Sequence, residues 1–127
     1  MKTRLAFAVA VTLAAVTVGA QAPGIKRTVL QKGDVTAEYE VVLARAEISP
    51  GGATGRHTHP GTESGYVLEG STQLEVEGQP TKVYKAGDSY FIPAGTIHNA
   101  TQMGEKQATV LATYVVRKGE PLATPAK

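Results

Sequence analysis

Residues 51–70 read GGATGRHTHPGTESGYVLEG, and residues 87–98 read GDSYFIPAGTIH. These two stretches hold all three histidines of the chain. In the first, Gly51 is followed after five residues by His57-Thr58-His59, after three more by Glu63, and after six more by Gly70. Residues two apart on a strand point to the same face, so His57 and His59 can aim two imidazoles at one point. Glu63 keeps that parity, and Pro60-Gly61 lets the chain bend so that the carboxylate comes round. In the second stretch, Pro93 and Gly95 build a tight turn that launches a new strand, with His98 close to its start.

A lone histidine is more often a solvated or satisfied residue than a ligand. An isolated HXH occurs by chance, and glutamate is common on surfaces. The weight rests on the joint pattern of paired His, Glu, a second Pro/Gly turn and the remaining His placed just after it. Three neutral imidazoles and one carboxylate suit Fe, Mn, Co, Ni, Cu or Zn and are poor for Ca or Mg. An octahedral ion on these four ligands keeps two positions for water, O2 or substrate, as a catalytic site requires. The expected metal ligands are therefore His57, His59, Glu63 and His98, holding one divalent transition metal.

Around these stretches nothing reads as a long helix. The segments are short, rich in Val, Tyr, Thr and Ile, and punctuated by Gly and Pro. Val35–Ile48 is the first long extended run, and Ser49-Pro50-Gly51-Gly52 ends it. Tyr66–Leu68 and Ser71–Glu77 flank Glu69-Gly70 as a hairpin would. Leu74 and Val76 alternate with polar neighbours, as in a strand with one wet face. Thr81–Lys85, Ser89–Ile92, Ile97–Gln102 and Gln107–Val116 are further strands, and Met103–Lys106 is a turn. Many short strands at this spacing imply a sandwich or barrel, without deciding between them. One copy of each motif and no internal repeat imply a single unit.

The two stretches match both motifs of the cupins, G(X)5HXH(X)3E(X)6G and G(X)5PXG(X)2H(X)3N. The chain resembles that superfamily from about Val35 to Val116, with the short spacing between motifs, Ser71 to Ala86, of small microbial members. The resemblance implies an all-β fold, a six- to eight-stranded antiparallel jelly-roll barrel with the metal inside. It extends to the quercetin-dioxygenase-like members, and on that likeness Glu63 serves as catalytic proton acceptor as well as ligand. The Asn of the second motif falls on Gln102. Strand parity with His98 puts Gln102 on the inner face, so substrate contacts are expected to differ there.

The N-terminus has the layout of an export signal. Lys2 and Arg4 precede an apolar run from Leu5 to Ala20 that ends in small residues. The run is shorter than the ~20 apolar residues a spanning helix needs, so a stable membrane anchor is not expected. The layout implies a signal peptide over 1–20, an N-terminal segment over 21–34, a barrel over 35–118 and a loose tail over 119–127. Cleavage after Ala22 would set Pro23 just past the cut, where its fixed φ suits an extended cleft poorly. A periplasmic or secreted location follows.

The chain has 13 Lys and Arg against 11 Asp and Glu. The leader takes Lys2 and Arg4 and no acid, so the mature chain is formally neutral and its basic character belongs to the leader. No basic stripe remains, and nucleic acid is not an expected partner. No cysteine is present, which excludes disulfides, thiolate metal sites and thiol nucleophiles. With no further histidine for acid–base chemistry, the metal and Glu63 carry the expected work. The function expected is a metal-dependent enzyme of oxygenase type acting on a small organic substrate. The alternatives are a non-catalytic module binding a small ligand or metal, and a Lewis-acid isomerase or lyase.

Remaining polar and aromatic residues read as ordinary. Arg56 has parity opposite to His57 and is expected to be outward and solvated. Tyr66, Tyr84, Tyr90 and Tyr114 are expected to pack. Gly65 and Val67 share the inward parity of Glu63, so Tyr66 and Leu68 face outward. A strand apolar on both faces is normally covered on both. The outer cover is either Ile25–Leu30 or a second subunit, and the resemblance favours a homodimer.

Overall fold

A computed structural model describes residues 22–127. The signal peptide expected over 1–20 lies outside the described residues. Ten strands make up the fold: β1 (Ile25–Asp34), β2 (Tyr39–Ile48), β3 (His57–Thr58), β4 (Gly61–Glu69), β5 (Ser71–Val76), β6 (Lys82–Lys85), β7 (Ser89–Ile92), β8 (His98–Met103), β9 (Ala108–Arg117) and β10 (Thr124–Pro125). They form two antiparallel five-stranded sheets, with orders β1-β2-β9-β4-β7 and β10-β3-β8-β5-β6. This is the all-β jelly-roll barrel that the resemblance implies, where the short strands and their spacing left sandwich or barrel open.

The alternation expected of half-buried strands runs through the barrel wall. Along β2, Glu40, Val42, Ala44, Ala46 and Ile48 are buried while the residues between them are less so. Along β9, Val110, Ala112, Tyr114 and Val116 take the inner positions. Leu74 and Val76 of β5, Val67 of β4 and Ile92 of β7 complete the core. Each large aliphatic side chain fully buried here contributes about 1.5–3 kcal/mol.

Both flanks of the expected barrel, among the described residues, are more ordered than the sequence implies. β1 adds to the first sheet by pairing with β2 along nearly its whole length, with a bulge between Val29 and Gln31. The barrel thus begins before residue 35. The tail beyond 118, expected to be loose, is tied down: Thr124 and Pro125 pair with Thr58 and His57, and Ala126 donates to the Arg56 carbonyl. Leu122 packs against the core. The tail is held because β3 would otherwise leave its backbone groups unpaired at a sheet edge.

β4 and β9 approach closely at Gly61. A Cβ there would lie 1.9 Å from the Val115 carbonyl oxygen, an obstacle that is backbone and cannot swing away. Gly61→Ala is expected to cost about 2–3 kcal/mol by forcing the strands apart. Chemical denaturation measures this, and an unchanged midpoint would contradict so close an approach.

Candidate metal centre

The chain crosses from one sheet to the other at Pro60, between β3 and β4. His57 ends up opposite His98 of β8, its Cα partner in the second sheet. Glu63 lies on β4 in the first sheet, between Tyr114 of β9 and Ile92 of β7. The turn after β7 is made by Pro93, Ala94 and Gly95. Gly95 has φ +69°, which a side chain would disfavour, and its N–H donates to the His59 carbonyl at 3.1 Å. That bond ties the two motif stretches together.

His57, His59, Glu63 and His98 are all buried, and their potential ligand atoms lie within 4.8 Å of one another. The group is of a kind that could hold one metal ion. The outer nitrogen of each imidazole is committed. Nδ1 of His57 donates to Gly55 O at 2.8 Å, and Nδ1 of His98 to Thr96 O at 2.9 Å. Nδ1 of His59 donates to Leu122 O, in the tail. A carbonyl only accepts, so each Nδ1 carries a proton, and a ring that holds no second proton turns an Nε2 lone pair inward.

Those inward atoms are crowded. Nε2 of His57 and of His59 are 3.2 Å apart. Glu63 Oε2 lies 2.9 Å from His59 Nε2 and 3.3 Å from His98 Nε2. His98 Nε2 is buried without a hydrogen bond of acceptable geometry. Lone pairs and a carboxylate facing one point at this spacing repel one another, and a cation relieves that repulsion. The donor set and its orphaned nitrogen therefore fit a transition metal.

Burial, and then the neighbouring charge of His98, lower the His57 pKa to about 4, only partly offset by the bond to Gly55, so the ring is neutral near pH 7. Burial would raise the Glu63 carboxyl, but contacts from His59 and His98 outweigh it and hold the acid ionised, below the usual carboxylate range. Burial and then the Glu63 charge raise the Tyr90 and Tyr114 hydroxyls, so both phenols stay protonated.

Tyr90 is more than packing. Its hydroxyl donates to Glu63 Oε1 at 2.9 Å, leaving Oε2 for the cluster. The ring reaches Glu63 because its Cα partner is Gly65: a Cβ on Gly65 would lie 2.1 Å from Tyr90 Cζ. Tyr114 sets its ring against His59, with centroids 4.7 Å apart. Tyr84 packs edge-on against Tyr90, as a core aromatic would. The signal for Tyr90 was available in the inward parity it shares with Ile92; the Leu122 carbonyl carried none, since a backbone group has no sequence signature.

Two further expectations differ in outcome. Arg56 is outward and exposed, 3.6 Å from Glu77. Gln102 is inward and buried but does not face a substrate: its amide accepts from Gly51 N–H at 2.9 Å and donates to the carbonyls of Met103, Gly104 and Lys106. It closes loops where substrate contacts were expected.

A β-barrel whose inner wall carries such a donor set is a metal-binding jelly roll. The family model described as "Cupin domain" matches residues 44–125, and this chain belongs to the cupins. Over 79 residues it is 37% identical to germin-like protein subfamily 2 member 2 of Arabidopsis thaliana, covering 58% of this chain and 36% of that protein. It is 28% identical over 82 residues to oxalate oxidase 2 of Hordeum vulgare, covering 58% and 37%. The structure of a recombinant oxalate oxidase in complex with glycolate superimposes with a TM-score of 0.66 at 26% identity, covering 80% of this chain and 55% of that one. The chain spans little more than a third of the length of the curated relatives it matches.

Groups that orient metal ligands are typically worth about 10- to 100-fold in metal affinity. Tyr90→Phe, which frees Glu63 Oε1, is expected to weaken metal binding within that range. Deletion of residues 119–127, which removes the Leu122 carbonyl from His59, is expected to do the same. Chelator competition measures both, and unaltered affinity would show that neither group positions a ligand.

Proposed function

We propose that this chain is an exported, metal-dependent cupin enzyme of oxygenase type, acting on a small organic substrate. Its one divalent transition metal is held by His57, His59, Glu63 and His98. The observation that carries the reading is the convergence of three inward Nε2 atoms and one carboxylate oxygen within 4.8 Å. The likeness to oxalate oxidases, one of them holding glycolate, supports a small-molecule ligand and an oxidative reaction.

Within this reading the bound ion supplies Lewis acidity and, if redox-active, a route for electrons to O2. The chain's own residues do the rest. The carbonyls of Gly55, Thr96 and Leu122 fix the tautomers of the three histidines. Tyr90 anchors one oxygen of Glu63. Glu63, ionised and buried, is the group able to accept a proton from the substrate. The apolar barrel lining excludes water, which strengthens each of these interactions.

Oxygen uptake by the metal-loaded protein tests this, with glycolate and oxalate as the first of a panel of small substrates. The expected result is consumption of O2 that depends on both metal and substrate. Turnover without O2 uptake would instead identify a Lewis-acid isomerase or lyase. Substrate bound and recovered unchanged would identify a binding module. His57→Ala, His59→Ala and His98→Ala are each expected to lower metal occupancy sharply while the strands persist. Full occupancy by elemental analysis in all three would overturn the ligand assignment.

Two further features belong to this reading. Export predicts a mature chain beginning at Gln21 in the periplasm or medium, read by N-terminal sequencing. The outer face of the first sheet carries Tyr66, Leu68, Phe91 and Val115, all exposed. β1 pairs at the sheet edge beyond β2 and so does not lie over β4. Of the two covers the sequence allows, we favour a second subunit. A homodimer by light scattering at micromolar concentration, broken by Tyr66→Lys, is the expected result.

A further inference from the structure

The segment beyond β9 is lightly held. None of residues 119–127 is fully buried, and Leu122 packs against the core while only partly buried itself. The bonds of this segment converge on residues 56–59. Thr124 and Pro125 pair with Thr58 and His57 of β3, Ala126 donates to the Arg56 carbonyl at 3.0 Å, and the Leu122 carbonyl accepts from His59 Nδ1.

β3 depends on that support. It has two residues, and its register with β8 rests on one pair, His57 with His98. In the second sheet it stands between β8 and β10, so the tail closes its other edge. The three imidazoles also differ in how they are held. His57 and His98 each donate to a carbonyl two residues earlier in their own stretch, Gly55 and Thr96. His59 donates to a carbonyl 63 positions away, in the tail. Two of the four candidate ligands, His57 and His59, thus sit on a piece of chain that the tail fastens.

An ion on this donor set would tie the same piece to Glu63 of β4 and His98 of β8. Ion and tail then restrain residues 57–59 from two sides. Two restraints on one short piece reinforce each other, because the ordering cost met by the first is not met again by the second. The effect is reciprocal: the factor by which docking strengthens the ion is the factor by which the ion strengthens docking. With the ion on Nε2, the His59 proton is also kept on Nδ1, where the Leu122 carbonyl accepts it.

We propose that residues 119–127 form a strap on the metal centre, docked on β3 when the ion is bound and released when it is absent. The inference rests on the metal-centre reading above and adds a moving part to it. Occupancy, felt at His59, is reported at the tail as an open or closed β3 edge.

The test is hydrogen exchange by mass spectrometry on the mature protein, loaded with Zn(II) or stripped by a chelator, with occupancy from elemental analysis. Exchange reads local opening, so the tail and the core strands β2 and β9 report separately. Groups that orient metal ligands are typically worth about 10- to 100-fold in affinity, and reciprocity sets the same range for the tail. The amides of residues 119–127, Ala126 among them, are expected to exchange at least about tenfold more slowly in the loaded protein, with β2 and β9 changing less. Leu122→Ser loosens docking and leaves the backbone carbonyl in place. It is expected to lose most of that protection and to release Zn(II) to a chelator at least about tenfold faster. Equal tail exchange in loaded and stripped wild type would overturn the inference. So would slowing by one common factor in tail and core, which marks general stabilisation and not a strap. Both results come from wild type and need no variant to fold. A Leu122→Ser tail that exchanges freely while Zn(II) leaves at the wild-type rate would overturn it too. Wild type that takes up no Zn(II) would overturn the metal-centre reading itself, a failure that elemental analysis separates from the others.

Discussion

Three imidazole nitrogens and a carboxylate oxygen cannot share one small volume without a positive charge among them. That constraint organises this protein. The carbonyls of Gly55, Thr96 and Leu122 each hold an Nδ1 proton, so the rings have no freedom to turn their lone pairs elsewhere. The ligand atoms are thus held facing one another by the barrel wall. A site arranged this way favours the loaded state, since the metal supplies what the chain lacks.

The barrel makes this arrangement possible by bringing two sheets together. His57 and His98 come from one sheet and Glu63 from the other, and the crossing at Pro60 joins them. The supporting groups come from still other elements: Tyr90 from β7, Tyr114 from β9 and Leu122 from the tail. Gly65 shows how closely the parts fit. Its missing side chain is the space through which Tyr90 reaches Glu63. Small residues at the inner wall therefore serve the site as much as the polar ones do.

The two faces of the first sheet divide the work. The inner face carries the candidate ligands and most of the core, while the outer face presents Tyr66, Leu68, Phe91 and Val115. Since strand side chains alternate strictly, the residues that hold the site and those that face outward are interleaved along β4 and cannot vary independently in register. A slip of one residue would move Glu63 to the surface and turn Tyr66 inward.

The sequence by itself determined the candidate ligand set and an all-β fold of short strands, with the barrel coming from the resemblance of its two motifs. Parity links His57, His59 and Glu63, the Pro93–Gly95 turn delivers His98, and short alternating segments leave no helix to place. These are local properties, set by the two-residue period of a strand and the fixed dihedrals of Pro and Gly. Only the tertiary structure decided which groups stand behind the ligands. Tyr90 and Gly65 are 25 positions apart and meet through strand pairing, and Leu122 meets His59 across 63 positions. Gln102 has inward parity, as expected, yet its amide is taken up by loop carbonyls, which no period reveals. β1 and the tail fall in segments that the sequence places outside the barrel, because a strand of mixed polarity and a two-residue strand carry almost no periodic signal. Their places follow from pairing partners distant in the chain, and pairing is a property of the folded barrel.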